Sequence, residues 1–554
     1  MCIVAGAIAL ALLLRGGPNE RAAVEGWAKA WERADWPAMR ALLASEDQRT
    51  LTPEALAERF GEAARTATTV RLSTDEPRKQ DDGRWRLPVT VRTRLFGEVR
   101  QAVHLEVVEE DGEARIRWRP ELVFPGLASG EKLRRTTVMP ERADILARDG
   151  TPLAQGADRT SPLGPAAAAI VGATGPIPAE RRARAQALGW PDDAQVGLSG
   201  LERIFDERLA GRPGGELRAG VRLLARSEAR KAPPVRTTIA PRVQQATVQA
   251  LGGRLGGIVA LRPRTGEVLA AAGIGFSGLQ PPGSTFKIVT LAGALEHHVT
   301  KPSERFPHQT AATLSGVELQ NANGESCGGT LTEAFAHSCN SVFGPLGVRL
   351  GDKRLVAIAE AFGFNRPPGI PGAATSSIPP AGEIGDDLAV GSTAIGQGRV
   401  QATALQMAIV AATIGLEGRR PEVTLDPTRW RGAAPTHKAI SPATARLVER
   451  MMIAVVESGT GTAARIAGVS VAGKTGTAEL RPTQARCTPD PSNPEACPPP
   501  SSDPSDTDAW FAAYAPTRGR EPRVAVGVLL VGAGQGGQTA APAARQVIEA
   551  ALGR

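Results

Sequence analysis

The sequence predicts an α+β multidomain protein whose C-terminal part is a five-stranded antiparallel sheet flanked by helices. Three observations lead there. The chain has 554 residues, too many for one core and enough for about three or four domains. Short runs with apolar residues at every second position cluster near both ends, as strands do. The stretch from about 284 to 460 is instead mostly of helical periodicity, so strands and helices are segregated along the chain.

Taken in order, residues 1–18 contain an apolar run, Ile3 to Leu14, ended by Arg15-Gly16-Gly17. Twelve helical residues span about 18 Å, short of a hydrocarbon core of about 30 Å. No basic residue precedes the run, as a signal or anchor would require. It reads either as a signal-like segment or as the tail of a membrane anchor whose first residues were lost through a late start codon, and the second reading is preferred. Cys2 directly follows Met1, so it does not belong to a lipoprotein signal.

Residues 19–128 form an α+β domain. Val24, Trp27, Ala30 and Trp31 mark an amphipathic opening helix, and Arg84 to Val91 and Val103 to Val108 alternate as strands. Tryptophans at helical spacing are core, not a ligand cup. Residues 129–235 are rich in Arg, Ala and Pro and carry no chemical motif of their own.

Residues 236–554 form the last domain. Gly257 to Leu261 and Glu267 to Ala271 flank Arg262-Pro263-Arg264-Thr265-Gly266 as a hairpin. Ser470 to Ala478, Ala509 to Ala515 and Arg523 to Val531 supply three more strands, and a helix follows from about 541 to 552. Between Arg481 and Asp508 lie eight prolines, which makes that stretch a long loop, read as a surface insert.

The chain carries 65 Lys and Arg against 57 Asp and Glu, a net charge of +8. The positive charge is spread as single arginines without interleaved aromatics, so nucleic-acid binding is not expected. The cysteines are Cys2, Cys327, Cys339, Cys487 and Cys497. Neither later pair has zinc-ligand spacing and there is no His-Glu-x-x-His helix, so no metal and no cofactor is expected. In an oxidising compartment Cys487 with Cys497 is the better disulfide pair and Cys327 with Cys339 the second, with free buried thiols as the alternative for both. His297 and His298, ending a helix, and His337 lack a carboxylate orienter and receive no metal or catalytic role.

Three triplets carry the chemistry. Ser284 is followed three residues later by Lys287, which on a helix lies on the same face one turn away and can serve as the base a serine nucleophile needs. Gln280-Pro281-Pro282-Gly283 cannot be helical, whereas Phe286, Val289, Leu291, Ala292 and Leu295 recur with helical spacing. Ser284 therefore sits at a helix N-terminus, where unpaired N–H groups favour developing negative charge. Ser338-Cys339-Asn340 and Lys474-Thr475-Gly476 follow once each, in that order. The chain supplies its own control, since Ser129-Gly130-Glu131-Lys132 also has the Ser-x-x-Lys spacing but lies in a Gly- and charge-rich turn. Lysine is scarce, nine of the 65 basic residues, so two falling within these triplets is informative.

Together the triplets resemble the penicillin-binding and serine β-lactamase superfamily. The resemblance extends to Gly391 through Gly398 with Thr403 and Leu405-Gln406-Met407, to Glu457 through Ala463, and to Trp510 through Pro516, which look like segments of a class B penicillin-binding protein. Arg142 through Ile145, Arg148-Asp149-Gly150 and Gly197 through Glu202 are similar to that class's non-catalytic pedestal, or dimerisation domain. Arg142-Ala143 and Ala147-Arg148-Asp149-Gly150 depart from the usual Arg-Gly and Asp-Arg-Asn-Gly. Residues 19–128, with the exit sequence Trp118 to Leu127, resemble the NTF2-like N-terminal domain of methicillin-resistance-type proteins.

The resemblance implies Ser284 as nucleophile, Lys287 as general base, Ser338 as proton relay and Lys474 as a cationic contact. Asn340 would hold the substrate amide, and Thr475, Gly476 and Thr477 would line the carboxylate and oxyanion positions, with the N–H groups of Ser284 and Thr477 forming the oxyanion hole. It implies a membrane-anchored, extracytoplasmic D,D-transpeptidase that cross-links peptidoglycan stem peptides through an acyl-serine, is acylated by β-lactams, and works with a glycosyltransferase partner. The alternatives are a β-lactam hydrolase, for which no deacylating base is identified, and a catalytically silent β-lactam-binding sensor or scaffold.

Overall fold

A computed structural model describes residues 19–479 and 506–554. The apolar run 3–14, Cys2, Cys487, Cys497 and most of the Pro-rich stretch lie outside the described residues. The chain divides into two compact units. The first is drawn from the chain up to Ala143 with Thr174–Val196 and Asp206–Pro233, the second from Asp144–Ala173, Gly197–Phe205 and Pro234–Arg554. The segment 129–235 thus contributes to both. Among the described residues no helix is long and apolar enough to cross a membrane.

In the first unit, helix α1 (Glu20–Arg33) starts at Asn19, whose side chain accepts from Ala22 N, and α2 (Pro53–Ala67) starts at Thr52 with a proline in its first turn. Strands β1 (Thr69–Thr74), β2 (Trp85–Thr93), β3 (Gly97–Glu110) and β4 (Glu113–Arg117) pair in that order, and a two-residue strand at Arg78–Lys79 adds to β2. Inward positions of β2 are buried and its outward ones mostly not, the alternation expected of a sheet with one covered face. Val24, Trp27, Ala30 and Trp31 are all buried. A further sheet of β5 (Leu133–Val138), β6 (Gly214–Ala219) and β7 (Arg222–Ser227) has Leu217 in the same core. This pairing keeps part of 129–235 in the first unit. The spare Ser-x-x-Lys stretch is an exposed turn at Ser129-Gly130 with Glu131 ion-paired to Arg222.

Phe60 organises this core. Its ring lies 6.3, 5.4, 5.3 and 6.0 Å from those of Trp27, Trp31, Trp36 and Trp118. Phe60→Ala leaves a cavity between four indoles that cannot collapse together, and is expected to destabilise the unit by about 3–5 kcal/mol. Urea unfolding followed by tryptophan fluorescence measures it.

In the second unit α3 (Pro241–Leu251) precedes the hairpin β8 (Gly256–Arg262) and β9 (Glu267–Gly273). Helices follow: α4 (Lys287–Glu296), α5 (Leu331–Ala336), α6 (Asn340–Leu350), α7 (Ala404–Gly415) and α8 (Pro442–Glu457). The chain closes with β10 (Ala472–Glu479), β11 (Thr507–Ala515), β12 (Val524–Leu530) and α9 (Ala540–Leu552). The sheet order is β9-β8-β12-β11-β10, antiparallel throughout. The five strands and the terminal helix are those expected from the sequence. Helices α3 and α9 pack against each other and the sheet, sharing a core with Leu269, Phe511 and Val526, while the almost wholly buried α7 packs on β12 and β8. Every residue of β12 is buried, which is why its sequence is a continuous apolar run.

The stretch from 284 to 460 is less uniformly helical than its periodicity suggests. Arg305–Gln309 pairs with Cys327–Thr330, and Ala311–Leu314 with Val317–Gln320. Four- and five-residue strands with exposed polar positions leave too little alternation to distinguish them from loops.

Candidate active site

Strand β10 is the sheet edge, and the helical part of the unit lies beside it. Gly283–Phe286 forms a 3-10 turn that runs into α4, so Ser284 lies in the turn ahead of the α-helix and Lys287 begins it. In such a turn residues three apart eclipse, which aligns Ser284 with Lys287. The turn is pressed against β10. A side chain at Gly283, where φ is +50°, would come within 2.6 Å of Thr477 O, and Gly396 backs the turn by accepting from Gly283 N at 2.9 Å. Ser284 is half-buried, and no hydrogen bond to its hydroxyl occurs among the described residues.

Ser338-Cys339-Asn340 joins α5 to α6. Thr330 and Glu333 form a reciprocal capping box at the start of α5. Past its end Ser338 takes φ +63°, left-handed for a non-glycine residue, and Cys339 is bonded to Cys327. Cys327–Cys339 was second in rank by sequence, and the first-ranked pair lies outside the described residues.

Lys287 connects the first two triplets. Its Nζ lies 2.7 Å from Ser338 O, 2.6 Å from Asn340 Oδ1 and 3.3 Å from Ser338 Oγ. The side chain is completely buried. Burial, and then the charge of Lys474, push its pKa well below that of an ordinary lysine. A neutral amine has two N–H bonds and one lone pair. Here two carbonyl oxygens accept the protons, which leaves the lone pair free to take a proton from a hydroxyl beside it. Asn340 Nδ2 donates to Gln320 O at 2.8 Å, which leaves its second N–H for a ligand.

Lys474 is buried on β10, donating to Thr475 O at 3.1 Å, and burial brings it down to about 7. Each lysine lies over an aromatic ring, Lys287 5.7 Å from Phe343 and Lys474 5.5 Å from Phe335. Thr475 is almost fully buried and hydrogen-bonds Thr460. Gly476 has no room for a side chain, which would meet Pro282 O at 2.8 Å, and Thr477 is half-buried beside Gly283. Ser284, Lys287, Ser338, Asn340, Lys474, Thr475, Gly476 and Thr477 are thus brought together where the serine turn, the Ser338 triplet and β10 meet. Phe335, Phe343 and Gly396 were not singled out individually by sequence reading. The first two flank the Ser338 triplet, and only the fold reveals that they sit beneath the lysines.

The chain matches the penicillin binding protein transpeptidase domain over residues 256–549, the NTF2-like N-terminal transpeptidase domain over 19–131 and the penicillin-binding protein dimerisation domain over 150–221. It is 34% identical over 384 residues to the peptidoglycan D,D-transpeptidase PbpA of Mycolicibacterium smegmatis, covering 57% of this chain and 72% of that one. With PbpA of Mycobacterium tuberculosis it shares 33% over 377 residues, with the same coverage. Among solved structures, the ceftriaxone acyl-enzyme complex of penicillin-binding protein A from M. tuberculosis superimposes with a TM-score of 0.57 at 28% identity, over 74% of this chain and 98% of that one. The D,D-transpeptidase domain of an Eggerthella lenta peptidoglycan glycosyltransferase gives 0.59 at 28% identity, over 75% and 99%.

Proposed function

Because the chain belongs to the penicillin-binding protein transpeptidase family, we propose that it is a peptidoglycan D,D-transpeptidase working through an acyl-serine, and that β-lactams acylate the same residue. The observation that carries the assignment of roles is the bonding of Lys287 to both Ser338 and Asn340, one turn from Ser284. Ser284 Oγ attacks the carbonyl of the penultimate D-Ala. Its proton passes to Lys287 and through Ser338 to the departing nitrogen, the C–N bond breaks, and terminal D-Ala leaves. An acceptor amine then attacks the ester, the proton returns to Ser284 and a new amide closes the cross-link. Asn340 holds the donor amide. Lys474 and Thr475 take the carboxylate, and the N–H groups of Ser284 and Thr477 take the oxyanion, with Gly476 letting the serine turn approach the strand.

The apolar run 3–14 supports anchoring at the membrane with the site outside the cell, where the substrate lies. A glycosyltransferase that supplies the glycan strands is the partner such a role calls for. The test uses a stem pentapeptide ending in D-Ala-D-Ala and an amine acceptor, read by mass spectrometry. One D-Ala released per amide formed is expected. Continuous penicillin turnover without a lasting adduct would instead make the protein a β-lactam hydrolase.

A further inference from the structure

The segment Gly459-Thr460-Gly461 ends the turn after α8 and has no role in the scheme above. Its position is tightly determined. Gly459 N donates to Ala454 O at 3.0 Å, Thr460 N to Ala336 O at 3.1 Å and Gly461 N to Val455 O at 2.9 Å. A side chain at Gly459 would come within 2.3 Å of Ala336 O, so only glycine lets the turn lie this close to the end of α5. Thr460 is thereby fixed between the segment leading to Ser338 and the strand carrying Lys474. It is itself exposed, next to the nearly buried Thr475.

Thr460 Oγ1 lies 2.5 Å from Thr475 Oγ1 and 3.4 Å from Ala336 O. A hydroxyl has one proton to give. At 3.4 Å the carbonyl is beyond the ordinary O–H···O range, so the two hydroxyls share the one strong bond between them. Either can donate while the cleft is empty. Once an anion sits at Thr475, Thr475 must donate to it, and Thr460 is the group placed to donate in turn. Two aligned hydroxyls polarise each other and strengthen the outer bond.

We propose that Thr460 is a positioning residue that turns the Thr475 proton toward the carboxylate of the incoming donor or β-lactam, making the site selective for an anionic group. The inference rests on the assignment of Lys474 and Thr475 to the carboxylate. It concerns binding and acylation, not the later attack on the ester, and it requires a hydroxyl at 460 rather than a particular size.

The experiment measures the second-order acylation rate by benzylpenicillin and by its neutral methyl ester in wild type, Thr460→Val and Thr460→Ser, with melting temperatures alongside. Wild type is expected to prefer the acid. Thr460→Val, isosteric and retaining the backbone bond to Ala336, should lose about tenfold with the acid and little with the ester, since one hydrogen bond to a charged system is removed. Thr460→Ser should restore the preference. If Thr460→Val keeps the wild-type preference, or loses both rates equally with a fall in melting temperature, Thr460 does not orient Thr475. If wild type shows no preference, the carboxylate assignment falls, and the inference with it. The two failures are therefore distinguishable.

Discussion

Ser284→Ala abolishes the covalent adduct with a fluorescent penicillin while leaving the fold intact. Ser284 is the proposed nucleophile, and removing a nucleophile costs on the order of 10⁴-fold or more, with what remains supplied by binding and oxyanion contacts. The stability change should be small, within about 0.5 kcal/mol, because Ser284 is half-buried and its hydroxyl makes no hydrogen bond among the described residues. Intact mass after incubation, with a thermal melt of the same samples, checks both halves. A stable adduct on the alanine variant would place the nucleophile elsewhere.

Lys287→Ala is expected to reduce acylation by roughly 10³-fold, within the range for loss of a general base. Its pH profile separates this from a packing defect. In the wild type Lys287 must be neutral to accept a proton, so the rate rises as pH climbs through its lowered pKa. Lys474 must be charged to take a carboxylate, so in the free enzyme the rate falls again as pH passes about 7. The second-order rate constant is therefore bell-shaped. Lys287→Ala should lose the rising limb and keep the falling one, whereas a variant that merely loosens the cleft would scale the whole curve down. The same substitution leaves Ser338 O and Asn340 Oδ1 without their donor, and some loss of stability should accompany it.

Most of the architecture was legible because its signals are local. The hairpin at 256–273 announces itself by two apolar runs around Pro and Gly, and the opening helix by the spacing of Val24, Trp27 and Trp31. Ser284 and Lys287 are near neighbours in sequence, so their alignment follows from one turn of backbone. Contacts between distant residues were less accessible. Nothing local says that Phe335 and Phe343 lie under two lysines, or that Gly396 must be small because Gly283 presses on it. The short strands between 305 and 330 have no periodicity to read. The segment 129–235 looked like one body by composition, yet Leu217 packs with the tryptophan core while Ile145–Leu146 pairs in parallel with Val235–Arg236 of the other unit. Thr460 was visible within a family-like segment, but its meaning depends on the separation of two hydroxyls.

The Cys327–Cys339 bond has a consequence for how this enzyme can vary over generations. The middle residue of the Ser338 triplet is covalently committed to a partner twelve positions earlier. A mutation at either cysteine alone strands a buried thiol beside the Ser338 triplet. Neutral drift at one position is therefore closed until the other changes, and lineages should keep both cysteines or neither.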